Sequence, residues 1–114
     1  MKSLSQLKLK ENEIAALREV RRKLLKKFPD AEIILYGSKA RGNYEDFSDI
    51  DLLILIGSQV TRSLKENITE IIYDAELDYD VVFGTIIENK AFWESPLAHA
   101  MPLHWNIERE GVRV

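Results

Sequence analysis

Asp49 and Asp51 lie two residues apart and lead directly into Leu52-Leu53-Ile54-Leu55-Ile56. Two carboxylates at the mouth of an apolar strand need a physical reason. Strand side chains alternate faces, so Asp49 and Asp51 point the same way, with alpha-carbons about 6.6 Å apart. That span lets both lean onto one hard cation whose oxygen ligands sit at about 2.1 Å, the magnesium geometry. Left unpaired, two acids this close repel, and one tends to keep its proton. No Lys or Arg occurs between Asn43 and Thr61, so a divalent cation is the natural neutraliser. A third oxygen ligand should come from a neighbouring strand. Asp80 heads the apolar run Val81-Val82-Phe83 and is the leading candidate; Asp78, on the same expected strand face, is its rival or a solvated charge.

Upstream stands Gly37-Ser38-Lys39-Ala40-Arg41-Gly42, at the end of another apolar run. Glycine lets a ligand approach the backbone, and exposed amides with the Ser38 hydroxyl can hold phosphate oxygens. Alone, a Gly-Ser turn is ordinary. Joined to an acid pair eleven residues on, it sets phosphate donors beside metal ligands, which is what phosphoryl or nucleotidyl transfer requires. Arg41 can reach a phosphate or form a structural ion pair. Ser48 is expected to fix the turn before Asp49 through a backbone hydrogen bond.

The elements that must position these groups are readable in outline. Ile14, Leu17, Val20, Leu24, Leu25 and Phe28 recur at helical spacing, which predicts a helix over Glu11–Lys27 with cations at its C-terminal end. Ala31–Tyr36 and Asp49–Ile56 read as strands, with Asn43–Phe47, including Tyr44, as a loop. Leu64, Ile68, Ile71, Ile72 and Ala75 mark a second helix, capped by Thr61 or Ser63. Leu77–Thr85 is expected as a third strand, carrying Asp80 beside the pair. Thr85 and Glu88 have capping-box spacing before a short helix at Asn89–Trp93. Ser95-Pro96 can start a helix, Pro102 forces a restart, Leu103–Glu110 forms the last helix, and Gly111 stops it before a short edge strand at Val112–Val114.

The 114 residues fit one domain, able to bury a core without staples, and the absence of cysteine excludes disulfides and thiolate metal sites. No stretch approaches the length of a membrane span, so a cytoplasmic protein is expected. The net charge of -3 is divided unequally, +6 over residues 1–42 and -9 over residues 43–114. An acidic middle suits cation binding and disfavours nucleic acid there. His99 and His104, five apart, match neither a shared helical face nor a zinc pattern, and read as packing or surface residues. Phe92, Trp93 and Trp105 read as core or partner contacts.

The whole pattern, Gly37-Ser38-Lys39-Ala40-Arg41-Gly42, five residues, then Ser48-Asp49-Ile50-Asp51-Leu52, resembles the signature of the polymerase-beta-type nucleotidyltransferase superfamily. More narrowly it resembles the minimal nucleotidyltransferases, which often stand beside a HEPN-domain partner. Lys39 replaces a frequent arginine and keeps the charge. The resemblance implies an α+β fold with a mixed β-sheet flanked by helices. It implies two Mg2+ ions at Asp49 and Asp51, with Asp80 binding one and helping deprotonate the acceptor. It also implies a nucleoside triphosphate at Gly37, Ser38 and Arg41, and AMP transfer from ATP to a hydroxyl of a HEPN-type toxin, in an antitoxin role. Two alternatives stand beside this: a silent antitoxin that acts by binding, and a small-molecule nucleotidyltransferase working with a separate helical subunit. An exposed edge at Val112–Val114 would leave a homo-oligomer open.

Overall fold

A computed structural model describes residues 2–42 and 49–114. The expected loop at Asn43–Phe47, with Tyr44, and the turn-fixing Ser48 lie outside the described residues. Helix α1 spans Glu11–Lys27, where Ala16, Leu17, Val20 and Leu24 bury one stripe. Acids in its first turn and Lys26 and Lys27 in its last complement the helix dipole. A two-residue strand, β1 (Lys2–Ser3), precedes it, and β2 (Glu32–Tyr36) follows. The short α2 (Ser38–Arg41) sits between Gly37 and Gly42, both at positive φ. Strand β3 (Ile50–Ile56) comes next, then α3 (Arg62–Tyr79), capped by the Thr61 hydroxyl, which accepts from the Leu64 amide at 3.1 Å. The chain closes with β4 (Phe83–Asn89), α4 (Lys90–Trp93), α5 (Pro96–His99), α6 (Pro102–Glu110) and β5 (Val112–Arg113).

The five strands form one mixed sheet in the order β1-β5-β2-β3-β4. β2 runs antiparallel to β3 and β5, while β3 pairs β4 and β1 pairs β5 in parallel. The mixed sheet flanked by helices is the expected α+β architecture. Side chains of β3 alternate between two cores. Ile50, Leu52, Ile54 and Ile56 pack with α1 and α3, and Leu53 and Leu55 pack with Trp93 and Ile107 on the opposite face. Both faces of β3 are therefore dry, which explains its unbroken apolar run.

Three expectations need correction. Residues 77–79 are not strand: Tyr79, partly buried, continues the α3 stripe four residues after Ala75, so the helix runs on to Tyr79 and β4 begins only at Phe83. The short helix after β4 is capped by Asn89, whose side-chain oxygen accepts from the Phe92 amide at 3.1 Å, and not by Thr85. Finally, β5 is no edge strand, because it lies between β2 and β1.

Candidate active site

Leu53 and Leu55 face the α4–α6 side of the sheet, so strand alternation turns Asp51 to that side too, at the strand end. Across the sheet Asp51 pairs with Tyr36 on β2 and with Gly84 on β4. The carboxylate fills a slot between two glycines. A Cβ at position 37 would stand 2.3 Å from Asp51 Oδ2, and one at position 84 would stand 2.9 Å from Asp51 Oδ1. The same point above Gly84 lies 3.9 Å from Asp49 Oδ2, so the two acids converge as their spacing predicts. Gly84 thus occupies the place on the neighbouring strand from which a third ligand was expected, and it carries none.

Burial raises the Asp51 pKa above its ordinary value of 3.8, the Asp49 charge raises it further, and Arg41 opposes both. Tyr36 is likewise raised, first by burial and then by the Asp51 charge. Negative charge is therefore undercompensated at this end of the sheet. Two convergent oxygen donors in that condition fit a divalent cation of the magnesium type.

Gly37 joins the acids to the turn. With φ 78 and ψ -157 it occupies backbone territory that only glycine tolerates, which aims the chain from β2 past Asp51 into α2. Ser38, half-buried, opens α2. Lys39 is buried and its ammonium meets Glu13 of α1 at 2.8 Å, with side-chain exposures of 1% and 7%. This pair ties the turn to α1. Arg41 Nη1 donates to both carboxylate oxygens of Glu110, each at 3.1 Å, so the ion-pair alternative for Arg41 is realised. The Gly37 amide donates to Glu110 Oε1 at 3.3 Å.

Glu13, Gly84 and Glu110 were not found by sequence reasoning. Glu13 had a signal: it extends the buried row Leu17, Val20 and Leu24 one turn towards the N-terminus, and a charge on such a row needs a buried partner. Gly84 is readable only once the β3–β4 register is known, and Glu110 lies 69 residues from Arg41.

Asp80 is placed elsewhere. It is the C-cap of α3, exposed, in the left-handed conformation at φ 56, with its amide bonded to the Glu76 carbonyl. Asp78 is exposed on the last turn of the same helix. Among the described residues no group of three or more His, Asp or Glu side chains is close enough to share a metal ion. The acid pair therefore stands without Asp80. His99 and His104 do meet, with ring centroids 4.1 Å apart, because the break before Pro102 puts them on separate helices. His104 is buried and also stacks on Trp93 at 4.5 Å, so its role is packing. Among the described residues no helix is long and apolar enough to cross a membrane.

Residues 17–100 match the family described as "Nucleotidyltransferase domain". Two relatives come from Methanocaldococcus jannaschii. "Putative protein adenylyltransferase MJ0604" is 32% identical over 102 residues, covering 88% of this chain and 95% of that protein. "Putative protein adenylyltransferase MJ0141" is 41% identical over 58 residues, covering 51% of this chain and only 59% of that protein's length. Two crystal structures share the fold. One is a toxin-antitoxin with AMP-PNP, at TM-score 0.55 and 19% identity, over 82% of this chain and 68% of that one. The other is a mutant of the toxin-antitoxin MntA-HpeT, at TM-score 0.54 and 20% identity, over 94% of this chain and 72% of that one.

Proposed function

The chain belongs to the nucleotidyltransferase domain family, and on that premise we propose that it transfers AMP from ATP to a hydroxyl of a partner protein, as the antitoxin of a HEPN-type toxin. The observation that carries this reading is the contact between the Gly37 turn and the Asp51 carboxylate, which brings phosphate donors and metal ligands to one point. Relatives named as protein adenylyltransferases support a protein acceptor, and fold neighbours that are toxin-antitoxin complexes support a toxin as that acceptor.

In this reading Asp49 and Asp51 would hold magnesium, two ions when fully loaded, while the Gly37 amide, the Ser38 hydroxyl and Arg41 would hold phosphate oxygens. A metal held there would supply charge neutralisation at the α-phosphate; the acceptor hydroxyl oxygen would bond to that phosphorus as the bond to pyrophosphate breaks, its proton passing to solvent. The chain's own part is positional. The two glycines leave room for the Asp51 carboxylate between neighbouring strands, and the dry cores on both faces of β3 hold that strand rigid beneath it. The Lys39–Glu13 pair anchors the phosphate turn to α1, so donors and acids keep one spacing. Asp80, at the exposed end of α3, stands outside this set.

The test is incubation of the chain with labelled ATP, magnesium and the product of the neighbouring gene. Label is expected on the partner, and it is expected to vanish in Asp51→Asn while the complex still forms. A wild-type complex that takes up no label would refute transfer to the partner and leave the two alternatives, silencing by occlusion and transfer to a small-molecule acceptor.

A further inference from the structure

The donors assigned above to phosphate are already engaged. Glu110 accepts from the Gly37 amide and from both approaches of Arg41 Nη1, at 3.1 to 3.3 Å, with its side chain only 13% exposed. A carboxylate on a backbone N–H and a guanidinium reproduces the acceptor pattern of a phosphate oxygen on the same donors.

Nor is this the chance reach of a loose tail. Glu110 is the last residue of α6, and the next residues are pinned. The Gly111 amide bonds the Ile107 carbonyl at 2.8 Å, and a Cβ at position 111 would meet that oxygen at 2.5 Å and Ile34 Cγ2 at 2.9 Å. Val112 and Arg113 then pair with Leu35 and Ile34 of β2. The fold delivers this carboxylate to the turn from a fixed helix end.

We infer that Glu110 is a built-in anion in the phosphate cradle, which a nucleoside triphosphate must displace from Gly37 and Arg41 in order to bind. One amide hydrogen serves one strong acceptor, so Glu110 and a phosphate oxygen exclude each other at Gly37. The exchange makes the site selective for a ligand with enough negative charge, carried in with its cation, to replace a carboxylate already in place. Monoanionic ligands gain too little from Arg41 to do so. This inference rests on the nucleotide-site reading, and its test separates the two.

Binding of ATP with magnesium is measured by calorimetry for the wild-type chain and for Glu110→Gln, which keeps shape and removes charge. The expected result is binding about fivefold tighter in Glu110→Gln, the scale of one partly exposed ion pair. Equal or weaker binding in Glu110→Gln, with clear binding by the wild type, overturns the inference alone and makes Glu110 a positioning group for Arg41. Absence of binding in both overturns the nucleotide site and the inference with it. A second measurement needs no variant: carbodiimide labelling of carboxylates read by mass spectrometry. Glu110 labelling is expected to rise as the wild-type chain is saturated with ATP and magnesium, and unchanged or reduced labelling refutes displacement.

Discussion

Replacing Gly37 by alanine sets a methyl carbon 2.3 Å from Asp51 Oδ2, well inside contact distance, on a backbone at φ 78 and ψ -157. Gly42 offers a matched control. It too has positive φ, at 75, but a Cβ there meets nothing within 4 Å. Gly42→Ala should therefore cost only the left-handed backbone penalty, about 1 kcal/mol. Gly37→Ala should cost about 1–3 kcal/mol for a region reserved to glycine, before the clash is counted. A contact that short cannot persist, so either the Asp51 carboxylate or the turn must move. At about 4 °C per kcal/mol for a domain of this size, thermal unfolding should show Gly42→Ala lowered by about 4 °C and Gly37→Ala by about twice that or more. Binding of manganese, as a paramagnetic stand-in for magnesium, should weaken in Gly37→Ala and stay at the wild-type value in Gly42→Ala. Equal stability and equal metal affinity in the two variants would show that the contact with Asp51 carries no consequence.

Other perturbations test other parts of the site. Glu13→Gln removes the carboxylate that the buried Lys39 ammonium meets at 2.8 Å and should cost up to about 3–5 kcal/mol in urea unfolding, part of it recovered when Lys39→Met is added. Because the Asp51 pKa is raised in the folded chain, that group contributes stability below its unfolded value and loses it as pH rises through the raised one. Metal-free Asp51→Asn should therefore be more stable than wild type at neutral pH, an advantage that disappears in acid; equal stability at both pH values would contradict the shift. Gly84→Ala sets a Cβ 2.9 Å from Asp51 Oδ1 and should lower metal affinity while leaving the melting temperature nearly unchanged, a separation visible by running both assays on one preparation. Asp80→Asn should keep wild-type metal affinity, given its place at the end of α3; a large loss would return Asp80 to the site.

The elements with strong local patterns were legible in the sequence. The row Leu17, Val20 and Leu24 located α1 with both its bounds, Leu52–Ile56 located β3, and Pro102 and Gly111 located the limits of the last helix. The convergence of Asp49 and Asp51 followed from strand alternation alone. Asp80 was misplaced because Leu77, Tyr79, Val81 and Phe83 alternate as a strand would, while Tyr79 also continues the α3 stripe; packing against the core decided for the helix. What surrounds the pair was hidden for a different reason. Gly84 and Glu110 acquire meaning only through sheet register and through a contact spanning 69 residues, and neither leaves a periodic trace.

The placement of β5 has a consequence for how the molecule comes into being. It is last in chain order among these elements, yet it fills an interior lane of the sheet, where Val112 pairs with Lys2 on one side and Leu35 on the other. Strands β2 and β3, joined locally, can zip together early, but the outer edge of β2 then waits with unpaired amides and carbonyls until β5 arrives. Long-range pairing of this kind is slow, and an open edge beside an apolar strand invites pairing with other chains in the interval. Among the described residues β1 pairs with β5, so it must wait as well. Because Glu110 ends α6 just ahead of β5, the segment that fills the interior lane also carries the carboxylate that meets the Gly37 turn.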